Sequence, residues 1–383
     1  MGRDHSEMGA CTGEHSAVNR VHLFEPTGYG GIFQHALRIG QIVADAGAPV
    51  TLHTSDAHEA TDPGGVSLCC CAPWRPRASR PRFAAVPIAA RYCGRTVPHL
   101  VNVARDGGVV HIQGLPSATL TTFTVLALRA RRRPLVLSPH NTFSHRNSRL
   151  EKELIRLCAR LAGVNIAFSQ PDATVLSRWG VRVLVSPLVQ LAIEPEPRRV
   201  ERWRRTWTAL NGEDVILFAG QIRADKRLDI LIEAAAAWPR MRKLAIVGED
   251  RGDWERCRRF AARRGVTLHA SIGYVAIEDF VAAIAAADLV VAPHQRASQS
   301  GVLVHARDVG TATVASRIGG LGELSSETFP PLDVAALRSA IDSALKRDQL
   351  RGRGSDIGEA CAVHLHAYRV AAERPGRERI DAS

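Results

Sequence analysis

The chain has 383 residues, of which 45% are hydrophobic and 23% are charged. This length exceeds the ~250 to 300 residues at which a single core usually stops growing, so it predicts two globular domains rather than a fibrous or disordered chain. Lys and Arg outnumber Asp and Glu by 50 to 38, and the net charge of +12 favours phosphate-bearing or other anionic partners. Aromatic side chains are not interleaved with basic ones as in base-stacking surfaces, which argues against nucleic acid as a partner.

The leader, the apolar stretches and the cysteines exclude further classes of protein. Residues 1–19 are polar and contain glycine, so they predict a disordered leader and no secretory signal peptide. The longest nearly apolar stretch, residues 280–293, is too short to span a bilayer. Cys69, Cys70 and Cys71 are consecutive, but no C-x-x-C pair occurs, so we expect reduced, partly buried thiols and no zinc or redox motif. These features predict a cytoplasmic protein that is soluble or lies at a membrane surface.

In the first half of the chain, short runs rich in Val, Ile and Leu alternate with longer helical patterns. This alternation is typical of strands and crossover helices that build a parallel sheet. The predicted strands are residues 21–24, 50–54, 109–113, 135–138, 164–168 and 183–186. The clearest helical patterns between them are residues 32–46 and 150–161.

A charged connector containing Pro195 and Pro197 separates this series from a second one. The second set of predicted strands is residues 215–219, 244–247, 266–270, 289–292 and 313–316. Helices are expected to begin at Leu228, Trp254, Glu278, Val302 and Val334. The predicted domains are therefore residues 20–190 and 191–350, followed by a C-terminal helix and polar tail over residues 351–383.

This pattern predicts an α/β fold of two tandem, Rossmann-like, doubly wound domains. In such domains the ligand binds beyond the carboxyl ends of the parallel strands. We therefore expect the two domains to face each other across a cleft, with the functional residues in the loops that line it.

The first functional signal is a glycine-containing loop, residues 27–32, between the first strand and the first helix. Gly30 and Gly31 would let the backbone approach a diphosphate, and free N–H groups at the helix start would bind its charge. The loop is not a full dinucleotide fingerprint, because Phe33 stands where a third glycine would be. A tight turn with no ligand is the alternative interpretation.

The second signal, residues 220–227, opens the second domain at the end of its first strand. Arg223 and Lys226 could direct two cations to the carboxyl edge of the sheet, where they would offset charge on a leaving group. The segment is not a Walker loop. A solvated basic loop is the alternative.

The third signal, residues 297–302, lies between a strand and a helix that ends at Gly310. Its small and hydroxyl residues, Ser300 and Gly301 among them, would offer backbone amides and the positive end of a helix dipole to phosphate oxygens. An ordinary helix cap is the alternative.

Together these segments resemble the retaining, two-domain glycosyltransferases of family 4, the group 1 transferases of the GT-B fold. The strongest stretch, residues 218–234, is similar to the family's phosphate-binding loop and the helix that follows it. Residues 244–248, 272–274, 287–288 and 298–323 are also similar. The resemblance covers nearly the whole chain after residue 20 and is specific only in the second domain.

The resemblance implies a nucleotide diphosphate sugar as donor, with Arg223 and Lys226 on its diphosphate. Other donor-binding positions implied by the resemblance are Gly30, Gly31, Gly273, Tyr274, Gln299, Ser300, Gly301 and Val302. His140 matches the histidine that reaches the transferred sugar, and His111 is a second candidate; a structural histidine is the alternative at either position. The resemblance also implies retention of configuration with no dedicated base. No D-x-D triplet occurs, so we predict no metal ion on the donor phosphates and no other cofactor.

The sequence departs from the family at three positions. Many members carry two glutamates eight positions apart, and Ala297 and His305 stand at those places here. The loss of the second acid weakens the expected contact with the ribose, so the sequence does not indicate which nucleotide base the donor carries. Position 221, often Arg in relatives, is Gln.

Two rival functions remain open. The opening loop and Asp56 suggest a nicotinamide-dependent oxidoreductase, although Phe33 and the phosphate signals of the second domain argue against it. A sugar-nucleotide-binding partner that has lost activity is the non-enzymatic alternative. The acceptor would be a sugar, a lipid-linked glycan or a small molecule. Arg129–Arg133 and Arg198–Arg205 could dock on an anionic membrane surface or be solvated surface charge.

Overall fold

The computed structural model describes residues 20–60, 62–73, 85–114, 117–140, 149–208, 212–239, 241–346 and 356–373. The chain divides into two compact units. The first unit consists of Met1–Ala167, Ala173–Pro187 and Asp356–Ser383, and the second of Phe168–Asp172 and Leu188–Ser355. The predicted leader, residues 1–19, and the tail after residue 373 lie outside the described residues.

Seven parallel strands form the sheet of the first unit, in the spatial order β3-β2-β1-β4-β5-β6-β7. They are β1 (Val21–Phe24), β2 (Val50–Ser55), β3 (Ser67–Ala72), β4 (Val109–Gln113), β5 (Leu135–Ser138), β6 (Val164–Ala167) and β7 (Val183–Val185). Every residue of β1, β4, β5 and β6 is buried. Their nearly continuous apolar runs follow from this position, because a central parallel strand is covered on both faces.

Helices connect these strands. They are α1 (Gly31–Asp45), α2 (Ala85–Arg91), α3 (Val97–Val103), α4 (Ala118–Ala130), α5 (Arg149–Leu161) and α6 (Gln170–Ser177), with one π-helical turn, Tyr92–Thr96, between α2 and α3. Side chains of α3, α4 and α5 pack on one face of the sheet in a single apolar cluster with β4 and β5.

Six parallel strands form the sheet of the second unit, in the order β10-β9-β8-β11-β12-β13. They are β8 (Asp214–Ala219), β9 (Arg242–Gly248), β10 (Leu268–Ile272), β11 (Leu289–Ala292), β12 (Ala312–Ser316) and β13 (Glu327–Phe329). The helices are α7 (Pro197–Thr206), α8 (Leu228–Ala235), α9 (Trp254–Arg264), α10 (Ile277–Ala286), α11 (Gly301–Asp308) and α12 (Val334–Lys346).

The second sheet is doubly wound, since alternate residues of its strands pack against different helices. Ile216 and Phe218 lie in a cluster with α8, α9 and α12, whereas Val215 and Leu217 lie in a cluster with α7, α10 and α11. The period-two alternation of a strand explains this separation. Two parallel-sheet α/β domains confirm the predicted fold class.

The last described helix, α13 (Ile357–Glu373), belongs to the first unit although it follows the second unit in the chain. It packs against α1 and strands β4 to β7. Tyr368 of α13 is fully buried, and its hydroxyl lies 2.9 Å from Nδ1 of His111 on β4. Nε2 of His111 lies 2.8 Å from Oγ of Ser138 on β5. These bonds tie α13 to the middle of the sheet.

Two strands, β3 and β13, were missed by the sequence prediction. Strand β3 reads Ser-Leu-Cys-Cys-Cys-Ala, without the β-branched residues that mark a strand. Strand β13 has only three residues. A third strand, β10, begins two residues later than predicted because Val266 packs against the core from the loop before it.

The arginines of α7 make ion pairs within the second unit. Arg199 and Arg202 both contact the carboxylate of Asp279 on α10. Arg204 lies 3.3 Å from Asp288, and the indole N–H of Trp203 donates to the Asp279 carbonyl at 2.9 Å. Much of this basic segment therefore serves the packing of α7 on α10.

Among the described residues, the longest helices are too short or too polar to cross a bilayer, so none qualifies as a membrane span.

We expect Tyr368→Phe to lower the free energy of unfolding by about 1–3 kcal/mol, because the buried Nδ1 of His111 would lose its closest partner. Urea unfolding followed by circular dichroism measures the change. The matched control is Tyr274→Phe, whose side chain is 63% exposed and whose effect should stay within about 0.5 kcal/mol. Equal effects of the two substitutions would contradict the role given to the buried hydroxyl.

Candidate functional site

The carboxyl ends of β8, β9 and β10 meet at three glycines. The amide of Gly273 donates to the carbonyl of Gly248 at 3.0 Å. A Cβ on Gly248, whose φ is +151°, would lie 1.8 Å from the carbonyl oxygen of Gly220. Only glycine fits there, since no side chain tolerates that approach to backbone. The close contact positions the loop that leaves β8.

Arg223 lies in this loop, within a carboxylate fork. Its Nε and Nη2 donate to Oδ1 and Oδ2 of Asp225 at 2.9 and 2.7 Å. The backbone around it is anchored as well, because the Ile222 amide donates to the Glu249 carbonyl at 2.9 Å. The guanidinium is therefore held in one orientation, with part of its charge balanced by Asp225.

Lys226 ends the short 3₁₀ helix Ala224–Lys226 and contacts the loop after β11. Its Nζ lies 3.3 Å from Nδ1 of His294. Burial, together with the positive charge of Arg223, lowers the pKa of Lys226 to about 8. Burial and the charge of Lys226 also lower the pKa of His294 well below its usual value, so the imidazole is neutral and accepts from the ammonium group. The ammonium group of Lys226 is thus held in a partly desolvated environment.

Helix α11 starts at the same edge of the sheet. Ser300 is its N-cap residue, yet the side chain makes no capping bond to the first turn. The first turn of a helix leaves N–H groups without intrahelical partners. Cγ2 of Val302 would lie 3.5 Å from a Cβ on Gly220, so the helix start and the loop after β8 are neighbours.

The loop before α11 contains two buried polar atoms without a hydrogen-bond partner among the described residues, Oγ of Ser298 and Oε1 of Gln299. The Gln299 amide nitrogen donates to the carbonyl of Phe168. Gly319, with φ +49°, allows this loop to pack closely, because a Cβ there would lie 2.1 Å from the carbonyl of Ala297. A polar ligand could satisfy the two unpaired oxygens, each of which costs about 1–3 kcal/mol when left buried.

The two positions at which many members of the family carry glutamates are apolar or neutral in the structure. Ala297 packs against the apolar cluster beneath α11. His305 is buried on α11, and burial lowers its pKa to about 4. Neither residue supplies negative charge at this edge.

In the first unit, carboxylates occupy the glycine loop. Oε2 of Glu25 accepts from the amides of Thr27 and Gly28 at 3.1 and 2.8 Å. Oε1 of Glu59 accepts from the amide of Gly30 and from Nε2 of Gln34, both at 2.9 Å. Burial raises the pKa of Glu25 to about 7. Much of the loop's hydrogen-bonding capacity is therefore used by the protein itself, which disfavours a pyrophosphate there and with it the nicotinamide alternative.

His140 follows β5 with φ +56°, an unusual backbone conformation for a non-glycine residue. Its Nε2 lies 2.8 Å from Oε1 of Gln113, so this nitrogen carries a proton and donates. Burial, with the nearby His364, lowers the pKa of His140 to about 3. The ring is therefore a neutral hydrogen-bonding group at neutral pH.

The second unit brings together the loop carrying Arg223 and Lys226 and the start of α11. Gly273 adjoins them through Gly248, while Tyr274 is largely exposed beyond β10. Gly30, Gly31 and His140 belong to the first unit. Sequence reasoning missed His294, although its place directly after β11, the strand that pairs with β8, could have indicated it. It also missed Glu25 and Glu59, which the spacing from the glycine loop does not indicate.

The fold is that of the GT-B glycosyltransferases. Anabaena Alr3699/HepE, in complex with UDP and glucose, matches with a TM-score of 0.66 and 18% identity over 93% of this chain and 95% of that one. Sucrose-phosphate synthase from Thermosynechococcus elongatus matches with 0.67 and 17%, over 93% and 94%. The catalytic domain of starch synthase IV from Arabidopsis thaliana, bound to ADP and acarbose, matches with 0.69 and 11%, over 94% and 100%.

Residues 213–347 match the family described as glycosyl transferases group 1. This span begins just before β8 and ends after α12, so it covers both loops described above. The chain therefore carries a group 1 glycosyltransferase domain, as its sequence predicted. A comparison of the sequence with curated proteins finds no significant match.

Proposed function

We propose that the protein transfers a sugar from a nucleotide diphosphate sugar to an acceptor. One observation at the carboxyl edge of the second sheet carries this proposal. The partly desolvated ammonium group of Lys226 lies at the same edge as the start of α11, which has no side-chain cap. Cations and helix amides at the end of parallel strands are the groups that bind a diphosphate without a metal ion. This segment matches group 1 glycosyltransferases, which supports a nucleotide diphosphate sugar as the molecule that carries the diphosphate.

The proposed chemistry follows from the charge that develops during transfer. When the bond to the anomeric carbon breaks, the leaving nucleoside diphosphate gains negative charge. Lys226 would meet this charge directly, and Arg223, held by Asp225, would donate its remaining N–H groups. The amides of Ser300, Gly301 and Val302 would stabilise other phosphate oxygens. Gln299, Gly273 and Tyr274 would contact the rest of the donor.

Residues of the first unit would act on the sugar. His140, neutral and oriented by Gln113, would bond a sugar hydroxyl rather than supply a positive charge. Gly30 and Gly31 would leave room for the donor, since a Cβ on Gly30 meets no atom within 4 Å. Retention of configuration and membership of family 4 are parts of this proposal that rest on the sequence resemblance, and independence of metal ions rests on the absence of a D-x-D triplet.

UDP-glucose is the first donor to test, because HepE has been crystallised with it. GDP- and ADP-sugars form the rest of the panel, since His305 replaces the acid that many relatives place near the ribose. The acceptor would be a sugar, a lipid-linked glycan or a small molecule.

We expect Lys226→Ala to weaken binding of the donor that stabilises the wild-type chain. Loss of one charged hydrogen bond costs about 1.5–3 kcal/mol, which corresponds to roughly tenfold to hundredfold in Kd. Titration calorimetry measures the binding, and release of UDP in the presence of acceptor mixtures measures the transfer.

Arg227→Ala is the matched control for this substitution. It removes one positive charge from the same loop, but the Arg227 side chain is held by Asp229, with Nε 2.9 Å from Oδ1. Equal weakening by both substitutions would assign the effect to net charge and contradict the site. If the protein binds the donor but transfers sugar to none of the acceptors, the result would favour a sugar-nucleotide-binding partner without activity.

The lowered pKa of Lys226 predicts how donor binding depends on pH. Below about pH 8 the amine is charged in the free protein, so the affinity for UDP-glucose stays constant. Above that pH the affinity should fall by up to about tenfold per pH unit, because binding must take up a proton. Lys226→Arg should abolish the fall, since a guanidinium stays charged. A wild-type affinity that is constant from pH 7 to 10 would contradict the assignment.

We also propose a cytoplasmic location with contact to an anionic membrane surface through α4. Phe123 and Leu126 are exposed on this helix, and Arg129–Arg133 lies at its C-terminal end. Apolar side chains beside a basic cluster are typical of interfacial helices. Arg198–Arg205 contributes less, because several of its arginines are paired with carboxylates.

We expect the protein to co-sediment with phosphatidylglycerol vesicles at low salt and less at high salt, and not with phosphatidylcholine vesicles. Phe123→Ser with Leu126→Ser should reduce the bound fraction, since the apolar contact would be lost. Val86→Ser is the control, because Val86 is an exposed apolar residue outside α4. Vesicle binding that does not change with salt, lipid charge or the two substitutions in α4 would refute the proposed membrane contact.

A further inference from the structure

Four potential metal ligands converge in the first unit, and none of them belongs to the donor site proposed above. They are His53 on β2, Cys69 and Cys71 on β3, and His99 on α3. One ligand atom from each lies within 4.8 Å of the ligand atoms of all the others. Residues from three elements thus point their nitrogen and sulfur atoms at a common point.

The register of the sheet explains how these residues meet. His53 and Cys69 are direct partners in the parallel pairing of β2 with β3. Cys69 and Cys71 are two residues apart on β3, where the pairing with β2 shifts register, and their sulfur atoms belong to the cluster, whereas Cys70 between them is exposed. The hydroxyl of Thr96, buried in the π-helical turn before α3, donates to the Cys71 carbonyl at 2.8 Å. This bond holds β3 against the segment that carries His99.

Two separations between ligand atoms match the edges of a tetrahedral zinc site. Zn–N bonds of about 2.05 Å and Zn–S bonds of about 2.3 Å place two nitrogens about 3.3 Å apart, and a nitrogen and a sulfur about 3.6 Å apart. Here Nδ1 of His53 lies 3.2 Å from Nε2 of His99. Sγ of Cys69 lies 3.4 Å from the same nitrogen of His99. Both distances agree with the ligand edges to within about 0.2 Å.

A second imidazole lies behind His53 in the position of an outer ligand partner. Nε2 of His53 is 3.1 Å from Nδ1 of His22, which is buried on β1. A metal-bound histidine usually donates its other ring N–H to an acceptor, which fixes its orientation, and Nδ1 of His22 would be that acceptor here. Gly108 makes the place for this ring, because a Cβ there would lie 2.9 Å from it. Arg91 and Arg95 line the pocket beside Cys71.

We propose that His53, Cys69, Cys71 and His99 bind one Zn²⁺ ion. Two thiolates and two imidazoles are a zinc-type ligand set, and the two thiolates balance the charge of the ion. Four protein ligands complete the coordination, so the ion is structural and takes no part in transfer. It joins β2, the edge strand β3 and helix α3, where the strand has few apolar side chains to hold it.

The test uses the full-length chain, purified without chelators and with any affinity tag removed. We expect about one zinc per chain by inductively coupled plasma mass spectrometry. Cys69→Ala with Cys71→Ala should reduce the zinc to near zero. Cys70→Ala, which changes the exposed cysteine between them, should retain it, and so should His269→Ala in the second unit.

A second measurement does not depend on how well the variants fold. The wild-type chain, stripped of metal and titrated with Co²⁺, should give the intense d–d bands of tetrahedral cobalt with a thiolate charge-transfer band. Wild-type protein that binds neither Zn²⁺ nor Co²⁺ would overturn the proposal. So would a mass two hydrogens lower that maps to a Cys69–Cys71 disulfide, or equal loss of zinc in Cys70→Ala.

Discussion

The site of the second unit depends on one constraint, the contact between the carboxyl ends of neighbouring parallel strands. Gly248 must lack a side chain because the Gly220 carbonyl occupies its place. That approach directs the loop after β8 toward the loop after β11, where Lys226 meets His294. The same edge holds the start of α11. The arrangement that we propose for phosphate binding thus follows from strand order and one glycine, with few specialised side chains.

The two units use similar strand-loop-helix geometry to different ends. In the first unit, carboxylates of Glu25 and Glu59 accept the amides of the glycine loop. In the second, the start of α11 has no side-chain cap, and a lysine of lowered pKa lies beside the loop. Anion-binding capacity is therefore internal in one unit and available to a ligand in the other. This asymmetry agrees with a donor held mainly by the second unit.

Much of the fold could be predicted from the sequence, because buried central strands must be continuous apolar runs. Strands β1, β4, β5 and β11 were predicted residue for residue. The edge strand β3 was missed because cysteines replace branched apolar residues there. Arg223, Lys226 and Ser300 lie in loops after strands, as their residue types and their places in the sequence predicted. His294 and the cluster around Cys69 were not predicted, since both arise from contacts between elements distant in sequence, which spacing rules such as C-x-x-C do not detect.

The position of α13 has a consequence for how the chain is made. Residues 188–355 form most of the second unit and leave the ribosome before α13, which supplies the buried Tyr368 to the first unit. The first unit therefore begins synthesis earlier but completes its core later. During translation, the face of the first sheet that packs against α13 stays uncovered until residues 188–355 have been synthesised. A nascent chain stalled before residue 356 should accordingly recruit chaperones through its N-terminal half.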